Sequence, residues 1–380
     1  MRFRKYSEPF IRGCFGDLIF LRKEKYDPQK DTATYPCIEL ENIEQETCLL
    51  NGYFDSKKQK SIKTKFQSGD VLFGKLRPYL RKYALVDFNG VCSTEIWALY
   101  SNKLLNSYLF YYIQTEQFLE VANTSSGTKM PRAEWNLISS KEFIYPQSRE
   151  EMGYVSHFLS KIDQRIETRS KIIEDLELVK KGISNTVFGD KSVIKKSWKT
   201  IKLSTVLKER KTYDIKDSVY PHATLSKEGI SEKTDRYNRD FLVKDEEKEY
   251  KITHLNDICY NPANLKFGVI CLNAFGDAIF SPIYVTYEID KKCDPYFISL
   301  YLTNPTFIGH IRKYEQGTVY ERMAVSSEDF LKGEINLPTY EEQLKIAKTF
   351  KSIDVKIAIE QTILDKLKEQ KKFLLSNMFI

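Results

Sequence analysis

The chain has 380 residues, 42% hydrophobic and 29% charged, with 24 Tyr and 23 Phe, the composition of a folded soluble protein. That length suits two globular domains with connecting helices. Its net charge of +7, from 59 Lys and Arg against 52 Asp and Glu, is compatible with a nucleic-acid partner and does not by itself identify one. No run of 18 apolar residues is present and no signal h-region follows Met1-Arg2-Phe3-Arg4-Lys5-Tyr6, so no membrane association and a cytoplasmic location are expected. The seven cysteines are odd in number and form no CxxC pair. They are expected to be reduced, mostly buried thiols, neither a disulfide frame nor a zinc site.

Residues 1–146 form the first expected domain, mixed and richer in strand than helix. Short apolar runs separated by turn signals recur at Pro36–Leu40, Val71–Phe73, Tyr83–Val86 and Ile96–Tyr100. Asn89-Gly90, between Leu85-Val86 and Val91-Cys92, predicts a hairpin turn, since both residues tolerate positive φ. Leu109, Phe110, Ile113 and Phe118 predict a helix from Asn106 to Val121, ending in the polar loop Asn123–Arg132.

Residues 147–190 hold a long helix. Val155, Leu159, Ile162, Ile166, Ile173, Leu176, Ile183 and Val187 keep the 3/4 alternation of a coiled-coil seam. A second domain follows at 191–338, opening near Trp198, and a second long helix at 339–380. The seam returns 191 residues later as Ile346, Phe350, Ile353, Ile357, Leu364, Leu367, Leu374 and Met378. Its interruptions recur too: Arg169 and Lys180 in one copy, Glu360 and Lys371 in the other. Pro146 with Glu150-Glu151 is echoed by Pro338 with Glu341-Glu342. The chain is a duplication, and the repeat is too long for a solenoid. Helices of this length exceed what one domain needs to cover its core, so they are expected to pack on each other as a spacer rather than each on its own domain.

The second domain repeats the plan of the first. Asp257–Tyr260 stands where Asp70–Phe73 stood, Ile283–Tyr287 corresponds to Ile96–Tyr100, Tyr296–Leu302 to the helix at Tyr108–Phe118, and Glu315–Tyr320 to the Ser125–Met130 loop. The scaffold has stayed alike while Lys75–Arg81 and Asn261–Lys266 have diverged.

This arrangement resembles the specificity subunit of a type I restriction–modification system. The resemblance covers the whole chain. It rests on the ordered recurrence of a Pro shortly before Glu-Glu at each helix (Pro146-x-x-x-Glu150-Glu151 and Pro338-x-x-Glu341-Glu342), Gly69–Tyr79, Gly127-Thr128 and Gly317-Thr318, and the Ile162-Asp163 and Ile353-Asp354 pairs within the helices. It departs at the N-terminus, where the lead-in seen at Trp198-Lys199 has no Trp counterpart. The resemblance implies an α+β fold: two mixed target-recognition domains, each followed by a long helix, the helices pairing as an antiparallel coiled coil. It implies that each domain reads one half of a split double-stranded DNA target and that the helices set the gap and dock two modification subunits. Those would bind S-adenosylmethionine and methylate adenine N6. Two restriction subunits, the motor–nucleases, would use ATP and Mg. No cofactor or metal is expected on this chain.

Catalytic readings find little support in the residues. Gly69–Lys75 fits GxxxxGK, but Leu76 stands where Mg²⁺ needs a hydroxyl, and Val71–Phe73 reads as strand. Asn261-Pro262-Ala263-Asn264 is similar to the Asn-Pro-Pro-aromatic motif of amino-methyltransferases but lacks the second Pro and the stacking ring. The four histidines are scattered, with no nucleophile partner. Two other classes remain: a self-contained methyltransferase or nuclease, and a coiled-coil interaction protein that binds no nucleic acid.

The candidate DNA-contacting residues are polar or basic loop positions occurring in both halves. In the first they are Lys75, Arg77, Arg81, Lys82, Ser125, Ser126, Thr128, Lys129 and Arg132. In the second they are Asn261, Asn264, Lys266, Gln316, Thr318, Tyr320 and Arg322. Arg and Lys can read guanine O6/N7, and Asn and Gln adenine N6/N7, whereas contact to phosphate only positions the protein. The spacer seam is assigned to Ile162, Ile166, Arg169, Ile173, Leu176, Ile353, Ile357, Glu360, Leu364 and Leu367.

Overall fold

Both seams fold as unbroken helices, Arg149–Phe188 of 40 residues and Tyr340–Met378 of 39, each roughly 60 Å long at 1.5 Å per residue. The computed structural model describes residues 2–3, 5–124, 130–215, 219–233, 249–316 and 323–379. The chain divides into two compact units, Met1–Lys171 with Gln361–Ile380, and Ile172–Glu360. Each unit therefore owns part of both long helices. Of the seam, Ile162, Ile173, Glu360, Leu364 and Leu367 are buried, and Ile166, Arg169, Leu176, Ile353 and Ile357 are half-buried.

The first unit contains β1 (Phe10–Cys14), β2 (Ile19–Leu21), β3 (Lys25–Tyr26), β4 (Pro36–Ile38), β5 (Phe54–Asp55), β6 (Lys63–Phe66), β7 (Val71–Gly74), β8 (Tyr83–Leu85), β9 (Gly90–Cys92), β10 (Ile96–Ser101) and β11 (Glu142–Pro146). β1 pairs antiparallel with β11. A four-stranded sheet runs β2-β10-β7-β8, and a five-stranded one β3-β6-β9-β4-β5, with β4 and β9 parallel. β7 is buried on both faces, which is why it reads as a continuous apolar run. Val71 and Phe73 enter the main core with Phe15, Tyr108, Phe118 and Phe143, while Leu72 enters a second core with Ile38, Phe66 and Ala98. Val155, Leu159 and Ile162 of the first long helix join the main core, as do Leu374 and Met378 of the second. The Phe379 ring packs tilted against Tyr108, with centroids 5.0 Å apart.

The second unit contains β12 (Lys199–Lys202), β13 (Leu207–Glu209), β14 (Tyr213–Asp214), β15 (Ala223–Ser226), β16 (Gly229–Glu232), β17 (Tyr250–Thr253), β18 (Ile258–Tyr260), β19 (Ile270–Leu272), β20 (Ala278–Phe280), β21 (Val285–Ile289) and β22 (Glu334–Leu337). Its β12–β22 pair and its sheet β13-β21-β18-β19 repeat β1–β11 and β2-β10-β7-β8. Val187 and Phe188 of the first long helix and Ala347 and Phe350 of the second complete its core.

Three local expectations need correction. Asn89-Gly90 is not a hairpin turn: β8 pairs with β7, whereas β9 pairs with β4 and β6. Gly90 is needed for close approach instead, since a Cβ there would lie 2.5 Å from the Phe66 ring and 2.7 Å from the Pro36 carbonyl. The helix expected from Asn106 to Val121 is two, Asn106–Tyr112 and Glu116–Ala122. The second starts where the Thr115 hydroxyl accepts from the Phe118 amide. The strand expected at Ile283–Tyr287 is Val285–Ile289. Tyr287 stands opposite Ile258 as Leu99 stands opposite Val71, so the second unit carries one extra residue between these strands. A one-residue slip matters because it exchanges the faces of a strand.

The missing Trp at the N-terminus is replaced by two residues. In the second unit the Trp198 indole donates to Glu342 Oε1 at 3.0 Å. In the first, Arg2 donates twice to Glu151 at 2.7 Å and lies 4.4 Å over the Phe10 ring. Arg2 supplies the donor and Phe10 the ring, at the matching Glu of the repeat.

Candidate nucleic-acid interface

The central strand of each four-stranded sheet begins at a clamped turn. Arg22 donates to both oxygens of Asp70 at 2.9 Å, and Asp70 also accepts from the Gln67 amide at 2.8 Å. In the second unit Arg210 grips Asp257 at 3.0 and 3.1 Å, and Asp257 accepts from the His254 amide at 2.8 Å. Both carboxylates are buried. Their hydrogen bonds lead the factors that raise the pKa of each Arg above its ordinary value, against the cost of burial. The residue before each Asp has positive φ, Gly69 at 85° and Asn256 at 69°, a conformation that Gly and Asn tolerate best. Sequence reasoning paired the two aspartates and missed the arginines. Their near-equal spacing, 188 residues against 187, was the available signal.

From that fixed start each strand runs to the candidate loops. At the end of β7 the Lys75 carbonyl accepts from the Ala133 amide at 2.8 Å, Arg77 N–H donates to the Pro131 carbonyl at 2.8 Å, and Leu76 bridges Arg132. At the end of β18 the Pro262 carbonyl accepts from the Val325 amide at 3.2 Å, and the Tyr260 hydroxyl donates to the Val325 carbonyl at 3.0 Å. In each unit the strand-end loop is thus hydrogen-bonded to residues at or just after the second candidate loop.

The individual side chains differ in what they are free to do. Arg77 is exposed in a left-handed conformation (φ 52°) and Lys75 is half-buried; no side-chain hydrogen bond or ion pair engages either among the described residues. Tyr79 beside them is 52% exposed. Arg81 is held by Glu116 at 2.8 and 3.1 Å, Lys82 donates to the Leu40 carbonyl at 2.6 Å, and Arg132 is gripped by Glu95 at 3.0 and 3.2 Å. In the second unit Asn261 is buried and its side chain accepts from the Ala263 amide at 3.1 Å, shaping the turn. Asn264 is half-buried, Lys266 is exposed beside the Phe267 ring, and the Gln316 amide donates to Asp329 at 2.9 Å. Ser125, Ser126, Thr128, Lys129, Thr318, Tyr320 and Arg322 lie outside the described residues. A lysine run that sequence analysis did not single out, Lys57, Lys58, Lys60, Lys63 and Lys65, borders β6; Lys58 and Lys60 are exposed, whereas Lys63 is buried against Glu39.

The comparisons identify the class. The model of the type I restriction modification DNA specificity domain matches residues 14–178 and 195–369. The chain belongs to this family and carries its domain twice. A chain of Methanocaldococcus jannaschii provisionally named the type I restriction enzyme MjaX specificity subunit is 23% identical over 91% of this chain and 87% of its own. The type I restriction enzyme EcoDI specificity subunit of Escherichia coli is 34% identical over 73 residues, a match spanning 19% of this chain and only 16% of that one. The fold is that of solved relatives. The type I restriction–modification S subunit from M. genitalium aligns with TM-score 0.63 at 13% identity, covering 98% of this chain and 97% of its own. A chain solved in work on complex assembly and conformational transition of the type I R-M system aligns with TM-score 0.60 at 17% identity, over 97% and 98%. No helix among the described residues is long and apolar enough to cross a membrane.

Proposed function

We propose that this chain is the non-catalytic, DNA-sequence-specifying subunit of a type I restriction–modification complex. Each unit reads one half of a bipartite duplex target through the loops at the end of its central strand. The observation that carries this reading is the repeated scaffold with unlike tips: the same Arg–Asp clamp and the same strand-end hydrogen bond present Lys75 and Arg77 in one unit, Asn264 and Lys266 in the other. A duplicated frame with diverged contact residues suits two readers of different sequences.

The long helices pair antiparallel as a coiled coil, set the gap between half-sites and dock two modification subunits. Within the first unit Lys371 meets Asp163 at 2.7 Å, and within the second Lys180 meets Asp354 at 2.5 Å. Moving 17 residues forward on the first helix goes with moving 17 back on the second, as one antiparallel register requires. S-adenosylmethionine belongs to the modification subunits, and ATP and Mg to two restriction subunits that join in the cytoplasm. The experiment is methyl transfer from S-adenosylmethionine to duplex DNA, with this chain alone and with its modification subunit. The reading expects transfer only in the second case. Transfer by the chain alone would favour a self-contained methyltransferase.

A further inference from the structure

We propose that Asp163 and Asp354 are positioning residues, each tying a tyrosine of the globular layer and a lysine of the opposite long helix to one carboxylate, and that the two triads together fix the helix register. In the first unit the Tyr111 hydroxyl donates to Asp163 Oδ2 at 2.8 Å and Lys371 Nζ donates to Oδ1 at 2.7 Å. In the second, the Tyr296 hydroxyl donates to Asp354 Oδ2 and Lys180 Nζ to Oδ1 at 2.5 Å. The division of labour between the two oxygens is the same in both.

The four charged residues occupy two positions of the 191-residue repeat, and each pair joins one position of one copy to the other position of the other copy. The tyrosines are not equivalent. Tyr296 is in the first turn of its helix, two residues past the Asp294 N-cap, whereas Tyr111 lies six residues past the Leu105 N-cap, one turn later. The same chemistry is therefore assembled from unlike positions and is more than a passive copy of the duplication. Lys371 is 11% exposed. Burial opposes its charge, and the Cys48 sulfur at 3.8 Å and the Asp163 carboxylate together outweigh burial, holding the ammonium above the ordinary lysine range. The Lys371–Asp163 pair is the more covered of the two, since Lys180 and Asp354 are 34% and 36% exposed and more screened by solvent. Buried ion pairs contribute little net stability in general, and their best-attested use is to specify register. A slip of one heptad would set Asp163 against Leu364 and Lys180 against Ala347. Each charge would then lose its partner, so both triads reject that alternative.

The proposal rests on the reading that these helices set the gap between half-sites. Its test uses the complete chain with its modification subunit, with methylated sites mapped across a genome. Tyr111→Phe, Asp163→Asn and Lys371→Met, and separately Tyr296→Phe and Asp354→Asn, should leave both half-sequences unchanged. Sites whose gap differs by a base pair or more should become about tenfold more frequent, the scale of one lost charge-assisted hydrogen bond. Exchanging the charges, Asp163→Lys with Lys371→Asp, in the Tyr111→Phe background should return the gap variation to the level of Tyr111→Phe alone. Variants that fold and methylate with one unchanged gap overturn the proposal. So does a variant that loses thermal stability while its residual methylation keeps the wild-type gap. Tyr111→Phe removes one hydroxyl and keeps the test open where the charged variants fail to fold. A wild-type complex that methylates a continuous sequence overturns the underlying reading instead.

Discussion

Arg22 and Asp70, 48 residues apart, hold each other through two hydrogen bonds of 2.9 Å at the head of the strand that leads to the Lys75–Arg81 loop. Arg210 and Asp257 repeat the arrangement. The aspartates are almost fully covered and the arginines partly so. Removing one partner leaves an uncompensated charge, so Asp70→Ala and Asp257→Ala should each cost about 3 kcal/mol, the low end for a buried pair. Urea unfolding of the variants measures it. A loss below about 1 kcal/mol would place these pairs with ordinary surface ion pairs.

Gly90 should be intolerant of a side chain although its φ is ordinary. A methyl group there meets the Phe66 ring and the Pro36 carbonyl well inside contact distance. Gly90→Ala should destabilise by about 1–3 kcal/mol, the cost of overpacking. Gly69→Ala, where space is open but φ is 85°, should cost less, about 1 kcal/mol. Denaturation midpoints that reverse this order would contradict the assigned packing of β9.

The alkaline limb of stability follows from buried acids. Burial pushes the Cys37 and Cys48 thiols from 9.0 up to about 12 and raises the Tyr112 phenol above its ordinary 10.0. The folded state keeps protons that the unfolded chain releases, so this stability is complete below about pH 9 and is lost as pH rises towards and beyond 12. Urea midpoints at pH 7, 9 and 10.5 should be level and then fall. A midpoint unchanged from pH 8 to 11 would contradict the burial of these groups.

How much of this was legible in the sequence depended on the range of the signal. The seams declared the long helices because a 3/4 period over 40 residues has no competing reading. The Val71–Phe73 strand was equally plain. Asn89-Gly90 misled because a pair that suits a turn also suits a close approach, and only the Phe66 ring decides between them. The clamps were hidden because Arg22 and Asp70 meet across 48 residues of chain. The basic loop was legible as a region and not as residues: Arg81 and Arg132 look like Arg77 in sequence, yet Glu116 and Glu95 already hold them.

That distinction gives a prediction for binding. Lys75→Ala and Arg77→Ala should weaken duplex binding and each reduce the slope of log K against log salt by about 1 if it contacts phosphate. If Arg77 instead reads a base, its loss should relax one position of the recognised sequence by about 1–3 kcal/mol. Arg132→Ala should change the slope less, because Glu95 already neutralises that guanidinium. Equal slopes for the wild type, Lys75→Ala and Arg77→Ala, with no relaxed position, would remove this loop from the interface.

The central claim is that two units of one frame read two half-sites separately. The most direct measurement replaces residues 198–338 with the second domain of a relative of different specificity, then maps the methylated sequence produced with the modification subunit. The account predicts that one half of the split target changes to the relative's, while the other half stays as in the wild type. A sequence in which both halves change would contradict it.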